Sequence, residues 1–229
     1  MPQRRRAPTD AIEAANQKSD AQFVDDYLTQ SIDPDRYPVW TTSWTHPKTD
    51  ARYELRLQSP QSLGDDDFQA CFDLVAETSA ADYRSSSVQW RPRAKRKEMR
   101  SPELRYVLVK DAAGSVRGFT SLMPTYEEGQ PVVYCYEIHL KPELRGTGLG
   151  ALLMGFHGTV ARNLPPVAKV MLTCFAANTR GLAFYRRLGF EVDEISPKTR
   201  KLRAGDIPPD YVIMSKRVRR RGEATSTVG

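Results

Sequence analysis

The sequence predicts a mixed α/β fold, on three observations. The apolar and aromatic segment 132–140 runs into the glycine-rich turn Arg145-Gly146-Thr147-Gly148-Leu149-Gly150 and then into an apolar helical pattern. Two strand-like runs precede it, with turn residues at 111–114 and 127–129, as in a three-strand meander. A strand pattern, a helical pattern and Leu188-Gly189-Phe190 follow in alternation.

Taken in order, residues 1–9 are polar, carry Pro2 and Pro8, and read as a disordered basic tail. Thr9 or Asp10 can cap a helix over 10–30, striped by Ile12, Phe23, Val24, Tyr27 and Leu28. Pro34 and Pro38 end it, and 37–44 is an irregular aromatic segment. Alternation at 53–57 predicts a first strand. Asp65-Asp66-Asp67 puts negative charge at a helix start, and Phe68, Cys71, Phe72, Leu74 and Val75 carry that helix to the neighbourhood of Thr78. The serine-rich stretch 83–90 reads as a loop before a basic helix through Met99.

Strands are expected at 106–109, 118–123 and 132–140. Leu149, Leu152, Leu153, Phe156 and Val160 repeat at helical spacing until Pro165-Pro166. A buried strand at 169–175, a helix over 178–188 ending at Gly189 and a short strand at 190–192 come next. A polar, basic loop over 196–209 and a last strand at 211–216 complete the pattern. The expected organisation is one domain, 10–217, with an N-terminal helical extension and with basic tails at 1–9 and 218–229.

The chain has 229 residues and a formal net charge of +6, with an isoelectric point near 9.3 and a mean hydropathy of −0.55. The positive charge gathers in Arg4-Arg5-Arg6, in 91–100 and in Lys216-Arg217 with Arg219-Arg220-Arg221. Such clusters suit nuclear import, nucleic acid, ribosome or an acidic coenzyme as readily as a solvated face. No apolar run approaches the ~18 residues of a membrane helix, and MPQRRRAPTD has no apolar segment behind its arginines. A protein without membrane contact, unsecreted and monomeric, is the expectation. Cys71, Cys135 and Cys174 lack metal spacing and sit among apolar residues, which predicts reduced, buried thiols. His46, His139 and His157 are scattered, so neither a metal site nor a histidine-activated nucleophile is indicated.

The chemistry gathers at the glycine turn. Its backbone N–H groups are uncovered by bulky side chains where a helix begins, and unpaired amides with a favourable dipole attract phosphate there. Glu137 precedes Arg145 by eight residues, near enough to share a site with whatever the turn holds. Cys135 alternates with Tyr134 and Tyr136 and is expected on the opposite face, which argues against a covalent cysteine route.

Arg145-x-x-Gly148-x-Gly150 after a strand, with Asn178 and Phe184-Tyr185-x-x-Leu188-Gly189-Phe190 some thirty residues on, resembles the GCN5-related N-acetyltransferase (GNAT) superfamily. Tyr134-Cys135-Tyr136-Glu137, Lys169-Val170-Met171-Leu172-Thr173, Tyr83 with Trp90 and the helix ending Lys97-Glu98-Met99, and Tyr211-x-Ile213-x-Ser215-Lys216-Arg217 look like the NatD family within it. That family acts on the N-termini of histones beginning Ser-Gly-Arg-Gly, histone four and histone two-A. The resemblance implies a mostly antiparallel sheet with helices on both faces and a splayed parallel strand pair holding acetyl-coenzyme A. It also implies histone tails as substrate in cytoplasm and nucleus, with ribosome or chromatin as candidate contacts of the basic tails.

By the same resemblance, the main chain of Ile138, His139 and Leu140 meets the pantetheine arm. Gly146, Thr147, Gly148, Leu149, Gly150 and Ala151 cradle the pyrophosphate, and Arg145, Asn178 and Tyr185 also contact the coenzyme. Glu137 is the expected base, acting through water, with its pKa raised by the aromatic walls; an ion pair with an arginine is the alternative. Tyr136 is the expected acid and Tyr185 its rival, core packing or coenzyme contact being the other reading of Tyr185. Tyr83, Trp90, Tyr134, Tyr136, Thr173 and Tyr211 form the expected substrate pocket. Thr125 stands where the family has an aspartate, which leaves Glu127 to meet the substrate arginine. A transferase acting on lysines or a small amine, and a non-catalytic basic adaptor, are the competing readings.

Overall fold

The computed structural model describes residues 10–31, 33–202 and 205–218. The basic tail at 1–9 and Arg219-Arg220-Arg221 lie outside them.

Ten strands and six α-helices are described: α1 Ala11–Asn16, α2 Asp20–Tyr27, β1 Ser43–Thr45, β2 Arg52–Gln58, α3 Asp65–Arg84, α4 Pro92–Glu98, β3 Arg105–Lys110, β4 Val116–Glu127 and β5 Gln130–Leu140, then α5 Leu149–Asn163, β6 Lys169–Phe175, α6 Thr179–Arg187, β7 Glu191–Val192, β8 Arg200–Leu202, β9 Gly205–Ile207 and β10 Tyr211–Arg217. Eight strands form one sheet in the order β1-β2-β3-β4-β5-β6-β10-β7. Its pairs are antiparallel except β5 with β6, which is parallel.

The sheet is covered on both sides, so β3 is buried from Arg105 to Val109. Its alternation sorts the two cores: Val107 and Val109 join the apolar faces of α1, α2 and α5, whereas Tyr106 and Leu108 join that of α3.

Four elements differ from expectation: the segment 37–44, expected as irregular, runs into β1, which pairs along the edge of β2 and makes the strand expected first the second, and three others differ for local reasons. The helix over 10–30 is two helices. Ser19 starts the second with a reciprocal capping box to Gln22, and the buried Arg105 guanidinium donates to the carbonyl oxygens of Asn16 and Lys18 at 2.9 and 2.8 Å. The helix expected to stop near Thr78 runs to Arg84, because the side chains through Tyr83 keep packing, and the serine loop starts only at Ser85. The loop over 196–209 contains a hairpin, β8 with β9. All three cysteines are free and buried as expected.

Candidate active site

Tyr136 lies where the β4–β5 ladder slips. Leu122 pairs with Cys135 and Ser121 with Glu137, which leaves Tyr136 without a partner on β4. Such a bulge turns two consecutive side chains to one side of a sheet. Tyr136 packs against the core under α3, and Glu137 meets Lys95 of α4 on that side. Cys135 points the other way, to Met154 of α5. The Thr120 hydroxyl donates to the Glu137 carbonyl oxygen at 2.7 Å and lies 2.9 Å from His157 Nε2, pinning the backbone at the bulge.

Glu137 is buried with Lys95 Nζ 2.5 Å from Oε1 and with His139 Nε2 against Oε2. Lys95 also lies 2.7 Å from Glu98 and 5.4 Å from the Tyr83 ring centroid. The Thr78 hydroxyl, bonded to Leu74 O at 2.7 Å, lies 2.6 Å from His139 Nδ1. Burial alone pushes the Glu137 carboxyl up, as expected of a site walled by aromatics, but the Lys95 ammonium and His139 override it and hold the group at about 2. The expected rise is therefore corrected to a fall, and the ion pair is made with a lysine. Sequence reasoning missed Lys95 and the His139 side chain. The available signal was the four-residue spacing of Lys95 and Met99, which puts both on the buried face of α4.

An aromatic wall lies beside this cluster. Tyr83 is 5.4 Å from Trp90 and 4.8 Å, edge-on, from Phe175. Tyr134 is 5.3 Å from Tyr136, and its hydroxyl lies 2.6 Å from Thr173 Oγ1. Tyr211 pairs with Phe175 across β10 and β6, and the Ser87 N–H donates to the adjacent Asp210 carboxylate, tying the 85–91 loop to that strand. Glu127, in the last pair of the β4–β5 hairpin, acts with its charge on the hydroxyls of both Tyr134 and Tyr136. Burial raises the Tyr136 hydroxyl above its usual range.

The parallel pair supplies a cleft. β5 and β6 pair from Val132 with Lys169 to Cys135 with Leu172, and no further, although both strands continue. Residues 137–140 pair with β4 on one edge, and their other edge faces the gap. The His139 side chain turns to α3, while Ile138 and Leu140 pack in the α5 core.

Beyond β5, Gly146 and Gly148 adopt φ of +70° and +90°, and Gly148 is the N-cap of α5. A Cβ at either would meet nothing within 4 Å. Backbone conformation, rather than crowding within the protein, is what calls for glycine there. The space before the first amides of this 15-residue helix is open, as a pyrophosphate cradle requires. The exposed Arg145 bonds back to Leu140 O at 3.0 Å, and the Thr147 hydroxyl donates to Leu144 O at 2.6 Å. Leu149 is buried, Gly150 half-buried and Ala151 exposed.

Asn178 uses Oδ1 to accept from Gly181 N at 2.8 Å, capping α6. Tyr185 packs between Phe184 and Phe190, and burial raises its hydroxyl well above the usual range, the charge of Glu137 adding to the effect.

Comparison with known proteins agrees with this architecture. Residues 65–190 match the acetyltransferase (GNAT) family. Over 154 residues the chain is 34% identical to N-alpha-acetyltransferase 40 of Saccharomyces cerevisiae, covering 57% of this chain and 53% of that protein. The chain thus spans about half the length of the curated relative it matches. Two solved structures share the fold. Arabidopsis thaliana NAA60 in complex with a bisubstrate analogue has a TM-score of 0.52 at 10% identity over 72% of this chain and 98% of that one. The paia N-acetyltransferase from Thermoplasma acidophilum in complex with coenzyme A has 0.50 at 16% identity, over the same shares.

Proposed function

The chain belongs to the acetyltransferase (GNAT) family, and from that premise we propose that it is an N-alpha-acetyltransferase acting on histone tails that begin Ser-Gly-Arg-Gly. The observation that carries the reading is the parting of β5 from β6 after Cys135 and Leu172, with the Gly146–Gly148 turn beyond its β5 arm and Glu137 buried on the α3–α4 side. The likeness to N-alpha-acetyltransferase 40 supports an α-amine as acceptor.

Acetyl-coenzyme A, when bound, supplies an acetyl group held as a thioester. The amides of Gly148, Leu149, Gly150 and Ala151 start α5 and suit its pyrophosphate, with Arg145 adding charge at the rim. The edge of Ile138, His139 and Leu140 that β6 leaves unpaired, where Leu140 O accepts from Arg145, suits the amide groups of its arm. Asn178 and Tyr185 border that arm from α6.

Tyr83, Trp90, Tyr134, Tyr136, Thr173 and Tyr211 receive the first substrate residues, and Glu127 pairs with the arginine. Glu137 orients the amine through water and takes its proton, and Tyr136 is the proton donor. The acceptor's own acidity helps: with reference values of about 7.8 and 10.4, an α-amine is substantially neutral near pH 7.5 whereas roughly one lysine in a thousand is. Among the described residues, no helix is long and apolar enough to cross a membrane. Cytoplasm and nucleus, where histone tails are made and kept, are the proposed locations. The domain 10–217 acts as a monomer, and the basic tails add ribosome or chromatin contact.

The test compares acetylation of a free-amine Ser-Gly-Arg-Gly peptide with that of the same peptide blocked at its N-terminus and carrying lysines. Acetylation of the free amine is expected. Preference for the blocked peptide overturns the reading.

A further inference from the structure

Lys95 is the buried lysine of an otherwise exposed basic helix, its side chain 7% accessible against 8% for Glu137. It meets three partners at once: Glu137 at 2.5 Å, Glu98 at 2.7 Å and the Tyr83 ring at 5.4 Å. An ammonium has three donors and no acceptor, so it can be shared between two carboxylates and moved from one to the other by rotation of its stem. Of the two, Glu98 is half-exposed, with 44% of its side chain accessible, and leads outward. Tyr83 belongs to the aromatic wall assigned above to the substrate.

In the resting arrangement the carboxylate that must receive an amine already holds one. We infer that Lys95 is a positioning residue of the acceptor site: its ammonium occupies the place on Glu137 that the incoming α-amine takes with its bridging water, and substrate binding displaces it onto Glu98.

The inference rests on the transferase reading. No covalent bond is made or broken in the exchange, and Glu137 keeps an amine partner throughout, first Lys95 and then the substrate, with His139 Nε2 against Oε2 in both. An acceptor lacking a basic amine cannot compete for Glu137, so the exchange would admit amines and turn away their acetylated products. The titratable groups that feel the charge of Glu137 are Tyr83 of α3, Lys95 of α4, Tyr106 of β3, Cys135 and His139 of β5 and, from the α5-side core, Tyr185 of α6, while Glu98 reaches it through Lys95. Only Lys95 among them has a second carboxylate within 3 Å.

Steady-state kinetics of the full chain with a Ser-Gly-Arg-Gly peptide and acetyl-coenzyme A test this, beside binding of the N-acetylated peptide. Glu98→Gln removes the outward partner from an accessible position where folding is not at risk. The KM for the free-amine peptide is expected to rise by up to about fivefold with kcat within about twofold, the worth of one exposed ion pair, while binding of the acetylated peptide is unchanged. Lys95→Met is expected to lower that KM and to bring in an acid limb of kcat/KM from Glu137 that the wild type lacks above about pH 5, because burial of Glu137 is then opposed by His139 alone, and Lys95→Arg should remove that limb again.

Wild-type kinetics in Glu98→Gln, or an equal change for both peptides, would overturn the exchange. An enzyme that binds acetyl-coenzyme A but acetylates no peptide would instead overturn the transferase reading.

Discussion

Tyr136 and Glu137, neighbours in the chain, face the same core because Tyr136 has no partner on β4. The Thr120 hydroxyl fastens this slip by donating to the Glu137 carbonyl oxygen while contacting His157. Thr120→Val keeps the shape of the side chain and leaves both groups buried without that partner. A loss of about 2 kcal/mol is expected, roughly 4–8 °C in melting temperature, and Thr120→Ser should recover most of it. Thermal unfolding of the two variants is the measurement.

Acid should unfold the protein by way of His157. Burial lowers this imidazole to about 3. The unfolded chain therefore binds a proton that the folded chain refuses, and stability falls as pH drops from about 6.5 towards 3. Glu137, lowered to about 2, adds a second loss in the same direction, beginning near its unfolded value of 4.5. His157→Gln should flatten the dependence of melting temperature on pH between about 6.5 and 5 while leaving the steeper loss below. A variant whose slope matches the wild type would show that His157 is not the group responsible.

Much of the architecture is written in local sequence. The apolar runs of β3, β5, β6 and α5 and the glycines at 146, 148 and 189 each have a short-range signature, and each lies where that signature puts it. The break between α1 and α2 was also legible, since Ser19 and Gln22 have capping-box spacing, but the apolar stripe from Ile12 to Leu28 masked it. The bulge at Tyr136 has no such signature. Strict alternation would put Glu137 on the face of Cys135, and only the register imposed by β4 reverses it. Lys95 was hidden for a different reason. Within Arg-Pro-Arg-Ala-Lys-Arg-Lys-Glu-Met every charge favours solvent, and its burial depends on Glu98 one turn on and on Glu137 and Tyr83 from two other places in the chain.

Replacing Glu137 with Gln removes the carboxylate but keeps its size. Turnover is expected to fall by about 10²–10⁴, the range of a positioned proton acceptor. Coenzyme affinity should persist, because the Gly146–Gly148 turn lies beyond the end of β5, whereas Glu137 sits within that strand and meets α4. Because Lys95 and His139 keep the carboxyl ionised at any pH above about 2, Glu137 itself should give no acid limb in the wild-type profile between pH 5 and 9. Undiminished turnover in Glu137→Gln would remove it from its role.

Two phenols compete as proton donor. Tyr136 sits at the bulge beside Glu137, whereas Tyr185 is wedged between Phe184 and Phe190. Burial raises both, so each carries its proton at neutral pH. Tyr136→Phe should cost about 10²-fold in kcat with the KM for acetyl-coenzyme A little changed. Tyr185→Phe should cost far less. The reverse order would assign the donor to α6.

Gly148 separates backbone strain from ligand binding. With φ of +90° and nothing within 4 Å of a Cβ placed there, Gly148→Ala costs the strain of a left-handed alanine, about 1–2 kcal/mol, without a clash inside the protein. Gly114, in the β3–β4 turn, has φ of +78° and the same open surroundings, so Gly114→Ala carries a like penalty away from the glycine turn. Both variants should melt a few degrees lower, by amounts that match. The methyl at position 148 also intrudes where the amides of α5 meet an anion, so only that variant should weaken coenzyme A binding, by about tenfold, a loss of ~1.4 kcal/mol. Titration calorimetry with coenzyme A on both variants reads the difference, and equal affinities would remove the Gly146–Gly148 turn from the coenzyme site.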